Sequence, residues 1–295
     1  MIVEELINEL AAQLEEAAVF FGHGSDNAHD EAAELVFFSS ALQHDQAPTC
    51  YQNELTAIQE SRARELVLER IKTRKPAAYL THRMWFAGHE FYVDERVLVP
   101  RSPLAELIQA QFEPWVDARK VKHILDIGTG SGCIAIACAL AFPESNVDAA
   151  DISTDALAVT KINIERYQLQ SRVRAIQSDV LSGVNGRYDL IVSNPPYVSH
   201  AEMDALPEEY LREPELGLRA GDDGLDIVRK ILADAESHLE PHGLLVVELG
   251  DSEFALSQRF PTVPFMWLEF AHGGGGVFAL SAAQLIEYRG VLKGE

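Results

Sequence analysis

The chain has 295 residues, 47% of them hydrophobic, which is enough for one large domain with a full core plus a smaller one. With 24 Lys and Arg against 46 Asp and Glu, its formal charge is −22, so most of its surface repels polyanions and steers basic partners instead. No apolar run approaches the ~20 residues of a membrane span, and three irregularly spaced cysteines (Cys50, Cys133, Cys138) fit neither a disulfide framework nor a zinc site.

The first charges are Glu4 and Glu5, not a basic leader, so a reduced, cytoplasmic protein without a metal is expected. Val3, Leu6, Ile7, Leu10 and Leu14 recur at helical spacing. After a break at Gly22–Asn27 a second helix is expected from near Asp30. Leu55, Ile58, Leu66, Val67 and Ile71 outline a third, ended by Lys75-Pro76. The first sixty residues hold twelve acids and no Lys or Arg. Residues 1–82 therefore read as a small acidic helical domain, either a partner-recognition module or a packing cap.

Residues 83–100 read as a linker. Met84-Trp85-Phe86 and Phe91-Tyr92-Val93 flank Gly88 as a hairpin, and Val97–Val99 suggests a further short strand. From 101 to 295 strand and helix alternate. Strands are expected at His123–Ile127, Val147–Ala150, Val173–Gln177, Tyr188–Ser193, Leu244–Glu248, Phe265–Phe270 and Val277–Leu280. Helices are expected from the Gly loop through Phe142, at Ser153–Tyr167, from about Asp223 to Leu239 and near Ser252–Phe260. Repeated strand–helix units imply an α/β fold with a doubly wound parallel sheet, and the closing strand pair brings in an antiparallel strand.

Two stretches carry chemistry. Asn194-Pro195-Pro196-Tyr197 follows the apolar strand directly, so it lies at a strand's carboxyl end, where open α/β sheets bind ligands. The prolines supply no N–H, which leaves carbonyls free to point outward. An asparagine carbonyl beside a proline carbonyl makes an acceptor pair that matches a planar NH2 group, and Tyr197 can lie flat against it. Alone, the same four residues also describe a proline-rich turn with a packing tyrosine.

The second stretch is Asp126-Ile127-Gly128-Thr129-Gly130-Ser131-Gly132. Glycines at alternating positions let a ligand lie on the backbone where a helix offers free N–H groups. The spacing departs from that of pyrophosphate binders, because Cys133 stands where their last glycine would be. Asp126, one residue before the loop, suits an ammonium group. Asp151, ending the second strand, suits two ribose hydroxyls, though it also suits a helix cap with Ser153. Asp179 is placed to meet an adenine amine. Among known cofactors, S-adenosyl-L-methionine offers all three groups.

On these residues the chain resembles the class I S-adenosylmethionine-dependent methyltransferases, and within them the protein glutamine N5-methyltransferases. The resemblance covers almost the whole chain. Phe21–Asn27, Pro76–Thr81, Tyr92–Pro103 and Glu213–Leu218 are similar to the PrmB-type enzymes, which methylate a glutamine of large-subunit ribosomal protein three. The release-factor enzymes are the nearest alternative. They usually follow the proline-arginine pair with a proline and an acid-threonine pair, where this chain has Ser102-Pro103-Leu104-Ala105. More remote alternatives are a nucleic-acid amino-methyltransferase and a non-catalytic ribosome-assembly factor.

The resemblance implies a seven-stranded methyltransferase sheet over 101–295, an N-terminal substrate-recognition domain and a basic ribosomal protein as partner, with no DNA or membrane. It implies cofactor contacts from Asp126, Gly128, Thr129, Gly130, Gly132, Asp151, Asp179 and Asn194, and substrate contacts from Asn194, Pro195, Pro196 and Tyr197. Asn194, Pro195 and Tyr197 would carry the reaction without a separate acid or base. Arg101 would reach the substrate backbone, the Asn194 loop, or only a surface ion pair. Glu248, ending the fifth strand, has the position of a site residue without an assigned role.

Overall fold

The computed structural model describes residues 1–271 and 273–294. Helices α1 (Val3–Glu16), α2 (Ala28–Ser40), α3 (Ala57–Thr73) and α4 (Ala77–Thr81) form the N-terminal domain. The five apolar residues at helical spacing on α1 are all buried. Helix α2 starts two residues before the expected Asp30, because the Asn27 side chain caps it by accepting the Asp30 amide at 2.9 Å.

Helix α3 buries a face that periodicity does not reveal. Ile58 is 81% exposed, whereas Arg70 is fully buried. Arg70 can sit there because its Nε donates to Glu31 at 2.8 Å and its Nη2 to the Phe20 carbonyl at 2.8 Å.

Strands β1 (Met84–Phe86) and β2 (His89–Phe91) form an antiparallel hairpin with Gly88 at φ +82 in its turn, but the second strand ends at Phe91, where the sequence placed its start. Val97–Val99 is not a strand. It pairs with no strand among the described residues, and side chains satisfy its backbone: Tyr79 donates to the Val97 carbonyl, and the Val99 amide donates to Glu213.

After α5 (Leu104–Gln109), a helix the sequence reading missed, come β3 (His123–Ile127), α6 (Cys133–Ala141), β4 (Asn146–Asp151), α7 (Thr154–Arg166), β5 (Val173–Gln177) and β6 (Tyr188–Ser193). A long connection carries the one-turn helix α8 (His200–Met203). Then follow α9 (Asp226–His238), β7 (Leu239–Glu248), α10 (Glu253–Arg259), β8 (Met266–Trp267), β9 (Val277–Ser281), and the unforeseen α11 (Ala282–Glu287) and α12 (Arg289–Lys293).

The seven-stranded sheet has the order β5-β4-β3-β6-β7-β9-β8, with β9 alone antiparallel to its neighbours. Strand β8 is shorter than the expected 265–270, and β7 begins five residues before Leu244. All six residues of β6 are buried. Leu190 and Val192 pack under one helical layer and Ile191 under the other, which is why this strand reads as a continuous apolar run. Each such side chain contributes about 1.5–3 kcal/mol by leaving water. Because β4 lies on one side of β3 and β6 on the other, the winding reverses between β3 and β6 and opens a crevice at their carboxyl ends.

Candidate active site

A cavity of about 340 Å³ fills that crevice. Gly128 and Gly130 after β3, Asp151 ending β4, Asp179 after β5 and Asn194-Pro195-Pro196 after β6 all line it. Gly130 sits at φ +55, and a Cβ there would meet nothing within 4 Å, so its bare backbone faces open space that a side chain would enter. Asp151 shapes the same loop. Its Oδ2 accepts the Gly130 amide at 2.9 Å and its Oδ1 the Ser153 amide at 2.9 Å. Burial pushes the Asp151 carboxyl above its ordinary value. Ser153, not Asp151, caps α7, accepting the Ala156 amide. Asp179 is about half exposed and pairs with Lys230 at 3.1 Å.

Asp126, Thr129 and Gly132 lie behind this surface. The Asp126 carboxylate is fully buried, and its Oδ2 accepts the Thr129 hydroxyl and the Ala135 amide. Its Oδ1 has no partner among the described residues, and burial pushes its pKa up to about 7. Gly132, at φ +82, stands where a Cβ would press on Thr160.

Asn194 and Pro195 also line a second cavity, of about 300 Å³, together with Arg101, Tyr197, Tyr210 and Ser252. The two cavities therefore meet at the Asn194-Pro195 peptide. The Ser193 hydroxyl donates to the Ile127 carbonyl at 2.8 Å and fastens the end of β6 to β3. No hydrogen bond to the Asn194 carboxamide or the Pro195 carbonyl is formed among the described residues, so both oxygens keep their acceptor capacity. Tyr197 packs on Gly250, where a Cβ would come within 2.7 Å of the ring, and Ser252 donates to the Tyr197 carbonyl. Burial pushes the Tyr197 phenol far up, which keeps it neutral.

Arg101 is held by Glu213 through two hydrogen bonds of 2.8 and 2.7 Å and lies 5.2 Å over the Tyr210 ring. Burial works against its charge, but Glu213 outweighs that and holds the guanidinium above its ordinary value. Glu248 is buried beneath this wall and accepts the Ser102 hydroxyl, and burial pushes its carboxyl up to about 7. It lines neither cavity. No group of three or more metal-ligating side chains occurs among the described residues, and no described helix is long and apolar enough to cross a membrane.

Residues 110–221 match the methyltransferase small domain family. The ribosomal protein uL3 glutamine methyltransferase of Xanthomonas campestris pv. campestris is 50% identical over 285 residues, which span 96% of this chain and 92% of that protein. The protein of the same name from Francisella tularensis subsp. tularensis is 46% identical over 277 residues, 93% of this chain and 88% of that one. The chain belongs to the ribosomal protein uL3 glutamine methyltransferase family.

Among solved structures, the hMettl16 catalytic domain in complex with a MAT2A 3′UTR hairpin superposes with a TM-score of 0.52 at 18% identity. The match covers 76% of this chain and 81% of that one, and concerns the fold alone. The strand-end residues of both cavities are among those expected from the sequence. The side walls are not: Val97 and Leu98 from the linker, Ile152 and Val180 beside the acids, and Tyr210, Leu216 and Gly217 from the connection after β6. The stretch Glu213–Leu218 carries part of the family resemblance, yet nothing local in it shows that it shares cavities with Asn194.

Proposed function

We propose that this chain transfers a methyl group from S-adenosyl-L-methionine to the side-chain amide nitrogen of a glutamine in ribosomal protein uL3. The observation that carries this reading is the meeting of two cavities at the free acceptor oxygens of Asn194 and Pro195. The larger cavity fits the cofactor in chemistry as well as place. Gly128 and Gly130 give bare backbone, Asp151 keeps lone pairs for hydroxyls, and Ile152 and Val180 give apolar walls for a flat base. When bound, S-adenosyl-L-methionine supplies an electrophilic methyl on a sulfonium.

A primary amide nitrogen is a weak nucleophile because its lone pair is delocalised into the carbonyl. The Asn194 side-chain oxygen and the Pro195 carbonyl would accept its two hydrogens and turn the lone pair out of the amide plane. The same two dipoles stabilise positive charge as it develops on nitrogen, and they are already in place before reaction. Tyr197, neutral and half-buried, would cover the planar amide and exclude water. Arg101 faces the acceptor cavity and would hold the substrate main chain. No side chain is needed as a base, since the methylated nitrogen is acidic enough to lose its proton to water. An acidic protein of charge −22 complements a basic ribosomal protein.

The test is transfer itself. With isotope-labelled S-adenosyl-L-methionine and purified unmethylated uL3, mass spectrometry should find one added methyl on a glutamine side chain. Labelling of a different protein from a whole-cell extract, with uL3 left unlabelled, would refute the assignment.

A further inference from the structure

Glu213 occupies an environment that the transfer chemistry does not use. Its side chain is fully buried, and although burial opposes its charge, His23 and Arg101 hold the carboxyl below the ordinary range. Two distant segments converge on it. Arg101 donates to both oxygens, the Val99 amide donates to Oε1 at 2.8 Å, and His23 Nε2 lies 3.3 Å from Oε2. His23 belongs to the acidic N-terminal domain, Val99 to the end of the linker, Arg101 to the start of the domain that follows it, and Glu213 to the connection whose Gly217 lines both cavities. Nearby, Glu209 fastens the same connection to that domain, accepting the Phe20 amide at 3.1 Å.

The consequence lies in the guanidinium plane. Glu213 takes one N–H from each Nη of Arg101, and the Val99 carbonyl accepts from Nη1 at 3.3 Å. The Nε–H and the second Nη2–H are uncommitted among the described residues, and the side chain is 23% exposed at the acceptor cavity. Tyr210 supports one face of the plane. A fork fixed in this way presents two donors at a set angle, whereas a free arginine would sample many.

We propose that Glu213 is a positioning residue for methyl transfer: it sets Arg101 so that its uncommitted donors meet the main chain beside the target glutamine. This rests on the function proposed above. A double-mutant cycle tests it, using steady-state transfer to uL3 with Arg101→Ala, Glu213→Gln and the pair. Glu213→Gln should lower kcat/KM for uL3 about tenfold, the weight of a charged hydrogen bond, and should add nothing in the Arg101→Ala background. The dissociation constant for S-adenosyl-L-methionine, measured by calorimetry, should not move.

Effects that multiply, a Glu213→Gln variant as active as wild type, or a parallel loss of cofactor affinity would each overturn the assignment. Should Glu213→Gln not fold, Glu213→Asp keeps the charge while withdrawing it by one methylene. Its loss in kcat/KM should be smaller and again vanish in the Arg101→Ala background, and a loss that persists there overturns the proposal. Active wild type with multiplicative variants removes this role alone. Wild type that transfers nothing to uL3 removes the function and this role together.

Discussion

The two halves of the site are built differently. The floor of the proposed cofactor half consists of consecutive strand ends: Gly128–Gly130 after β3, Asp151 at β4, Asp179 after β5. Each residue is placed by the strand before it, so parallel pairing alone brings them together. The acceptor half gathers residues from 98–101, 194–198, 202–218 and 251–252, and buried carboxylates hold its connection in place. The sheet specifies the floor of the first half, which Val97, Leu98, Leu216 and Gly217 then wall. The second depends on contacts with the N-terminal domain, so the two should respond differently to substitution.

The largest separation is expected from Asn194→Ala. The variant loses one of the two acceptors for the amide hydrogens, and losses of this kind cost about 10²–10³ in turnover. Cofactor affinity, measured by calorimetry, should change far less, because Gly128, Gly130 and Asp151 are untouched. Turnover within a few-fold of wild type would show that Asn194 does not grip the substrate.

The contrast between the halves also explains what the sequence discloses. Tyr188–Ser193 is apolar throughout, which marks a strand covered on both faces, and a strand followed by Asn-Pro-Pro-Tyr fixes where the site lies. The neighbouring β3 and the end of β7 are legible in the same way, whereas β5 and β8 are only partly buried. The connection after β6 is not legible. It contains one four-residue α-helix and short 3-10 turns, and its position follows from ion pairs with residues more than a hundred positions away, such as Glu213 with Arg101. Arg70 fails for a related reason: periodicity sends a charge outward, and only the partners Glu31 and Phe20 explain why it points in. Ile58 is the converse, an apolar residue whose helix face no neighbour covers.

Asp126 sharpens the comparison because it is framework behind the cofactor half. Its carboxyl moves from an ordinary value of 3.8 to about 7 on burial. The folded state therefore holds a proton that the unfolded chain releases, and this group's contribution to stability falls as pH rises from about 4 to about 7. Asp126→Asn removes that penalty. Below pH 4 the variant and wild type should be similarly stable, and the variant should gain progressively, by as much as about 4 kcal/mol near pH 7. Urea unfolding across that range measures the difference. A constant gap would mean that the carboxylate is charged throughout and finds a partner for Oδ1.

The smallest expected effects distinguish the two acids of the cofactor cavity. Asp151 is buried against the loop, and its oxygens already accept the Gly130 and Ser153 amides while keeping lone pairs for a ligand. Asp151→Ala removes both the loop support and the acceptors. A charged hydrogen bond is worth about 1.5–3 kcal/mol, so cofactor affinity should fall about tenfold or more. Asp179 is half exposed and already committed to Lys230, an arrangement worth at most about 1 kcal/mol, so Asp179→Ala should weaken binding much less. Turnover at saturating cofactor should be preserved in both, since neither residue lines the acceptor cavity. The opposite ranking of affinities would mean that the exposed end of the cavity does most of the binding, and that the Gly130 loop holds its shape without Asp151.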